Sequence, residues 1–473
     1  MLQTEPYSMA ALQKALPCIQ RSTLHCSDIS AGSVFMWRNG EDVRFCFWND
    51  TFSLQQNMGS QPAFTWPVGA DPHGMIDELT QYAREHHFPL RFFAVDEQTL
   101  DFISHDDRLQ PYMCGYDRRW SDYVYSFSDA MTFQGKKFSG QRNHINKFKR
   151  LYGEPEIRFL TADDLPQVYA MLTEYELEHS GGGKMEKTEL EQTKKLFACY
   201  ADLGLYAACL SVGGEIAAVS IGEVIDETLI IHVEKALKRF QGAYPTVYSG
   251  FVRLISEHLG KKLWFVNRED DSGDTGLRTS KMQYQPVDLI HKYLVHIHSP
   301  AAKLQEIPVL HTDRLALTPI FERDKQAYLT LNTDIENNQY WGYDYREDET
   351  LAGHITEDTF YDGVQYDMQI GDSVNFAVRL QEDADMIGEG IVWNFSADGR
   401  CELGCRLMPA YHGKGYGKEA FGALAQFAKN GLHLQPWARC FKQNEGSRRM
   451  ILANGFHESR EDETYFYFEL SEE

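Results

Sequence analysis

The chain has 473 residues, enough for two or three domains with buried cores and no need of disulfide or metal staples. With 46 Lys+Arg against 69 Asp+Glu its formal net charge is -23, which argues against general affinity for nucleic acid or anionic membrane but allows a local basic patch. Nine cysteines without a C-x-x-C pair argue against a disulfide framework and a zinc finger, and no apolar run approaches the ~18 residues of a membrane span, so a cytoplasmic protein with no bound metal and no membrane insertion is expected.

The N-terminal MLQTEPYSMAALQKALPCIQ lacks the basic start and long apolar core of a signal peptide. Further on, GKKFSGQRNHINKFKR (135–150) gathers Lys136, Lys137, Arg142, Lys147, Lys149 and Arg150 with no acid. This stretch suits a phosphate backbone, and it equally suits a solvated basic helix face. A helix is expected over ELEQTKKLFACYADLG (189–204), followed by strands at LYAACLSVGG (205–214) and ETLIIHVE (227–234). On the last of these, a period of two puts His232 and Glu234 on one side and Lys235 on the other. With Asn267, Arg268, Glu269, Asp271, Arg278 and Lys281 they have the makings of a polar cleft or of a structural ion-pair network. One His-x-Glu pair does not make a metal ligand set. Arg268 and Arg278 flank an acidic turn, so the segment offers forks for carboxylate or phosphate and carboxylates for an amine, as an amino-acid-like ligand requires.

These three motifs, at 135–150, 232–245 and 267–286, together with FTWPVG (64–69) and DYVYS (122–126), resemble the soluble catalytic domain of phosphatidylglycerol lysyltransferases. The resemblance covers nearly 1–300 and implies two GNAT-like lobes, about 1–150 and 151–302, with aminoacyl-tRNA as a partner. The membrane segments that tether the lipid-transferring relatives are not in this sequence.

A linker is expected within HIHSPAAKLQEIPVLHTDR (296–314), which carries two prolines and little periodicity. A second domain, 310–473, then reads strand, helices, three strands, glycine loop, helix, strand, helix, strands. Its glycine loop, YHGKGYGKEAFGALAQFAKNG (411–431), places Gly413, Gly415 and Gly417 before Ala420, Leu424, Phe427 and Ala428 at helical spacing. Backbone N–H groups converging at a helix N-terminus make an anion site. A P-loop is excluded because Glu419 stands where Ser or Thr is needed, and a dinucleotide fold fits poorly this close to the chain's end. A turn without ligand is the remaining alternative.

CELGCRLMPAYHGKGYGKEA and NEGSRRMILANGF resemble the acyl-CoA loop and following helix of the GNAT N-acetyltransferases, and TDRLALTPI resembles the first strand of their ribosomal-protein acetyltransferase-like branch. In that pattern His412 takes a place where Gln or Arg is commoner, and Gly415 and Gly417 are the anchors. The resemblance implies that acetyl-CoA lies on Gly413, Lys414, Gly415, Tyr416, Gly417 and Lys418, beside Leu407 and Met408, with Asn444 and Ser447 at its thioester end. It implies Glu402 as the proton acceptor, directly or through water, a backbone N–H near Leu407 for the oxyanion, and Ser447 as donor to the thiolate. An exposed strand carboxylate and a helix-surface hydroxyl are the simpler alternatives for Glu402 and Ser447. Cys401 and Cys405 are taken as packing residues. Within DIENNQYWGYDYRED (334–348), Tyr340, Trp341 and Tyr343 offer an aromatic wall suited to a cationic acceptor, or an aromatic loop packed on the domain.

The expected fold is α/β (α+β): mixed sheets flanked by helices, in three GNAT-like lobes. The expected function is acetyl transfer from acetyl-CoA to the amine of a small molecule or peptide. Aminoacyl-tRNA-dependent transfer by the first part, and a CoA-binding sensor or adaptor, are the rivals.

Overall fold

The computed structural model describes residues 2–59, 61–179, 184–346, 351 and 355–471. Three mixed sheets organise the chain. The first has the order Gln3–Pro6, Arg44–Trp48, Thr51–Met58, Gln61–Thr65, Arg91–Val95, Tyr293–Ile297, Tyr112–Tyr116. The second runs Asp288–Ile290, Asp122–Ser126, Phe265–Asn267, Thr228–Ala236, Glu215–Ile225, Tyr206–Val212, Glu156–Phe159. The third runs Leu310–His311, Leu315–Pro319, Ser373–Leu380, Met386–Trp393, Arg400–Leu407, Gln435–Phe441, Tyr465–Leu470, Phe456–Glu461.

The expected alternation of helices and strands is found, and the element order of the C-terminal domain is the one read from its periodicity. The lobe boundary expected near residue 150 needs correction. The chain crosses from the first sheet to the second between Tyr116 and Asp122, and it returns at Tyr293–Ile297 to pair with both Arg91–Val95 and Tyr112–Tyr116. Phe45, Phe52 and Phe93 of the first sheet then share one buried core with Val124, Ile221 and Val233 of the second. No composition shift marks such an exchange, because both sheets bury the same kind of residue. The third sheet has a separate core around Leu317, Phe376, Leu403 and Phe421.

Between the first and third sheets lies a built contact. Arg91, with no solvent exposure, donates to the carbonyls of Met58 (2.8 Å) and Gln61 (2.5 Å) and pairs with Asp372 of the C-terminal domain. His296 Nδ1 lies 2.9 Å from the Gly371 carbonyl, and the Ala397 amide donates to Phe88 O at 3.1 Å. Among the described residues no helix is long and apolar enough to cross a membrane.

Candidate active site

On the Arg400–Leu407 strand, Cys401, Leu403 and Leu407 enter the core, whereas Glu402, Gly404 and Arg406 face the opposite way, as alternation requires. This strand pairs in parallel with Gln435–Phe441 only over Arg400–Glu402 and Gln435–Trp437. Beyond that point the two strands part, and each keeps a partner only on its outer side, Met386–Trp393 and Tyr465–Leu470. A fork with two open backbone edges results, and Glu402 stands at its apex. Trp341 lies against Gly404, and the Arg406 guanidinium sits 4.3 Å above its ring. Tyr340 packs on Phe441 at 5.6 Å, while Tyr343 also borders a smaller neighbouring hollow. Residues 347 and 348 of the expected acceptor segment lie outside the described residues.

Glu402 is buried, with Arg439 Nε 3.0 Å from one carboxylate oxygen and Asn394 Nδ2 donating to the other at 2.9 Å. Burial raises its proton affinity, and Arg439 and Asn394 oppose this only in part, so its pKa lies above the ordinary glutamate value. Beside the fork, the backbone N–H groups of residues 413–418 donate to no protein acceptor among the described residues. Gly415 caps the Tyr416–Gln426 helix at φ +83°, a conformation that L side chains rarely adopt. The His412 ring and the Asn337 amide hold the Leu407 carbonyl at 2.9 and 3.0 Å, tying the loop to the strand end. Of the amides near Leu407, that of Met408 is engaged with Ile387 O at 2.8 Å. Asn444 caps the Glu445–Leu452 helix by accepting from the Ser447 amide at 3.0 Å, and Ser447 lines the cavity.

Sequence reasoning missed the brace behind this loop. Glu419 accepts from the Arg314 amide at 2.8 Å and Nε at 2.7 Å and from the Thr312 hydroxyl, and Arg314 also donates to Lys414 O at 3.0 Å. Partial burial pushes the Glu419 carboxyl up, but these donors outweigh it and its pKa is lowered. The residue that rules out a P-loop thus fastens the first strand of the domain to the glycine loop.

The second sheet contains a similar fork. Thr228–Ile230 pair in parallel with Phe265–Asn267, and beyond them the two strands part. Past Ile230 that strand keeps a partner only on its other side, Glu215–Ile225, and side chains close the fork. His232 sits at a bulge in the register, its Nδ1 2.7 Å from Glu269 and its Nε2 2.9 Å from Glu223, which also accepts from the Gly32 amide. One step on, Glu234 pairs with Arg268 at 3.3 Å, and the guanidinium stacks on Tyr248 (4.4 Å) and Tyr284 (4.6 Å). The helix start at Gly242, the counterpart of Gly415, is covered: an added Cβ would lie 2.3 Å from the His144 carbonyl. His144 belongs to the helix Ser139–Tyr152, whose Phe148 is buried while Lys147, Lys149 and Arg150 are exposed.

His232, Glu234 and Arg268 line the cavity, whereas Asn267 and Arg278 stand behind it. Asn267 donates to Asp122 at 2.9 Å, and Arg278 grips the buried Asp271 with two bonds of 2.9 Å. Asp271 also takes Arg118 at 2.8 Å and the Tyr123 hydroxyl at 2.6 Å. Unforeseen from sequence is Lys292, buried between Asp28 and Asp122, each at 2.6 Å. Among the described residues no group of three or more His, Cys, Asp or Glu is arranged to hold a metal ion.

His232 leads to a pH prediction. Burial alone lowers its pKa, but the bonds from Glu223 and Glu269 prevail and raise it from 6.5 to about 9. A raised folded pKa gives stability that is complete below about 6.5 and lost as pH rises through about 9. Thermal melts between pH 6 and pH 9.5 are expected to show a loss on the order of 3 kcal/mol that His232→Gln abolishes. Equal slopes in the two proteins would contradict it.

The chain thus holds two forked sheets, one filled by side chains and one open beside a helix start whose 413–418 amides have no protein acceptor among the described residues. Residues 20–296, more than half of the chain, match the family model described as "Phosphatidylglycerol lysyltransferase, C-terminal", and the chain belongs to that family. Residues 314–457 match the "Acetyltransferase (GNAT) domain". The uncharacterized N-acetyltransferase YoaA of Bacillus subtilis (strain 168) is 25% identical over 34% of this chain and 89% of its own length. The uncharacterized protein MYCGA3080 of Mycoplasmoides gallisepticum is 23% identical over 37% of this chain, a match that spans only 56% of that relative. A conserved protein of unknown function from Bacteroides thetaiotaomicron VPI-5482 superposes with a TM-score of 0.56 at 27% identity, over 63% of this chain and all of that one. The two family models and the YoaA match support acyltransferase activity in general.

Proposed function

We propose that the C-terminal domain transfers an acetyl group from acetyl-CoA to an amine. The observation that carries this is the open fork beside a glycine-capped helix start whose 413–418 amides have no protein acceptor among the described residues. The residues fit the co-substrate: residues 413–418 offer N–H groups to a pyrophosphate, and the fork offers open backbone edges to the pantetheine arm. The thioester supplies the activated acyl carbon. Glu402 accepts the amine's proton, directly or through water, Ser447 protonates the leaving thiolate, and Tyr340, Trp341 and Tyr343 form the acceptor wall.

Gly415→Val tests the cofactor site. A branched side chain at φ +83° strains the loop and re-aims its amides, so acetyl-CoA affinity is expected to fall at least about tenfold, or ~1.4 kcal/mol. Calorimetry on the folded variant decides, and unchanged affinity would reduce the loop to a turn.

Aminoacyl transfer by the first part is a second reading, favoured by its own cavity wall. Among the described residues Glu234 Oε1, on that wall, and the Tyr248 hydroxyl, on a ring packed against Arg268, are buried without hydrogen-bond partners, and the helix Ser139–Tyr152 shows its basic face to solvent. Retention of charged tRNA at low salt, lost as salt rises, supports this reading. Binding of acetyl-CoA without consumption across a broad amine panel would favour a sensor instead.

A further inference from the structure

One cavity of about 3350 Å³ is lined by both forks. Its volume is several times the ~300–1,000 Å³ of an ordinary ligand site, so it holds more than one station. Glu234 and Arg268 line it on the N-terminal side, Trp341 and Glu402 on the C-terminal side. Asp117 of the first part and Asp362 and Asp367 of the second also line it, and the Arg91–Asp372 pair fixes the junction of the two parts. Gly115 packs on Ile370 and Tyr366 in the same place, which keeps the two linings in register.

The chemistry of the two ends is complementary. At one end Glu234 and Arg268 pair through Oε2 and Nη2, while among the described residues the buried Glu234 Oε1 and Arg268 Nη1 have no hydrogen-bond partner. Buried polar atoms of opposite sign left unmatched in a cavity wall suit a ligand that brings an ammonium and a carbonyl together. At the other end, Glu402 is a base held by an arginine. Such a base suits an α-amine, with pKa about 8, better than a lysine-like amine near 10.4, because a larger share is already free at neutral pH. The carboxylates of Asp117, Asp362 and Asp367 on the cavity wall favour a cation and repel a free carboxylate.

We propose that the acetyl acceptor is an α-aminoacyl ester or amide, taken up at the Glu234–Arg268 pocket and passed through the shared cavity to Glu402. This rests on the acetyltransferase reading above. The reaction that supplies such a substrate is aminoacyl transfer to a hydroxyl or amine, which leaves the α-amine free. In the acetylation the α-nitrogen attacks the thioester carbonyl, the N–C bond forms and the C–S bond breaks. The nitrogen's surplus proton goes to Glu402, and the thiolate takes one from Ser447.

The test uses the full chain, acetyl-CoA, and the methyl esters of the twenty standard amino acids, each beside the matched amine that lacks the ester group. Thiol release and the mass of the N-acetyl product are measured. At least one ester is expected to exceed its matched amine about tenfold in kcat/KM. Glu234→Gln and Asp367→Lys are each expected to raise the KM for that ester at least about tenfold, with acetyl-CoA affinity by calorimetry retained. Asp367 opens into the cavity, so its variant stays informative should Glu234→Gln prove unstable. Acetylation of matched amines as efficiently as esters, or wild-type KM in both variants, overturns the proposal while leaving the acetyltransferase reading intact. Absence of acetyl transfer to every amine and ester overturns both.

Discussion

Glu402→Gln is expected to lower acetyl-transfer turnover by roughly 10²-fold or more while acetyl-CoA binding persists. The amide keeps the shape and the donor from Asn394 but cannot take a proton. Because burial sets the Glu402 carboxyl above the ordinary glutamate range, the acid limb of the wild-type pH–rate profile should report its ionisation. Turnover should rise with pH through that limb and the limb should vanish in the variant. Arg439 loses its counter-charge in Glu402→Gln, but it is partly exposed, so a melt near that of the wild type is expected. Wild-type turnover in the variant would move the base elsewhere and leave Glu402 as the partner of Arg439.

Arg91→Ala carries the largest expected cost in stability. The side chain is wholly buried and serves the carbonyls of Met58 and Gln61 together with the Asp372 carboxylate. Its removal leaves a buried carboxylate without its cation, a change worth about 3–5 kcal/mol, with the lower end expected because the Asp372 side chain keeps 25% exposure. The loss should be largely relieved in Arg91→Ala/Asp372→Asn, where no charge is stranded. A single-variant melt indistinguishable from that of the wild type would mean that the two parts do not depend on this pair. Because the pair fixes the junction of the shared cavity, the variant also tests whether acetyl transfer depends on how the C-terminal domain is seated.

Much of the C-terminal domain was legible because its signals are local. The strand alternation of Arg400–Leu407, the helical spacing of Ala420, Leu424 and Ala428, and the glycine loop each lie within about one element's length. After Gln426 that helix widens into a π-type turn over Phe427–Gly431 before stopping, a change of winding that the spacing of apolar residues does not show. In the first part, His232 and Glu234 were placed on one side by a period of two, yet the register bulge means that side-chain contact, and not strand alternation, brings them to the 267–269 segment.

By itself the sequence determined the family, the mixed α/β class, the order of elements after the linker, and the loop chemistry suited to an anion, because composition, periodicity and glycine placement act over a few residues. Only the tertiary structure decided that the strand Tyr293–Ile297 returns to the first sheet, that Lys292 meets Asp28 and Asp122, that Glu419 braces the loop through Arg314, and that both forks open on one cavity. Each of these joins residues from about one hundred to almost three hundred positions apart. Nothing local favours one partner over another at that range: sheet register and the desolvation of charges, which leaves a buried ion stable only beside its counter-ion, make the choice.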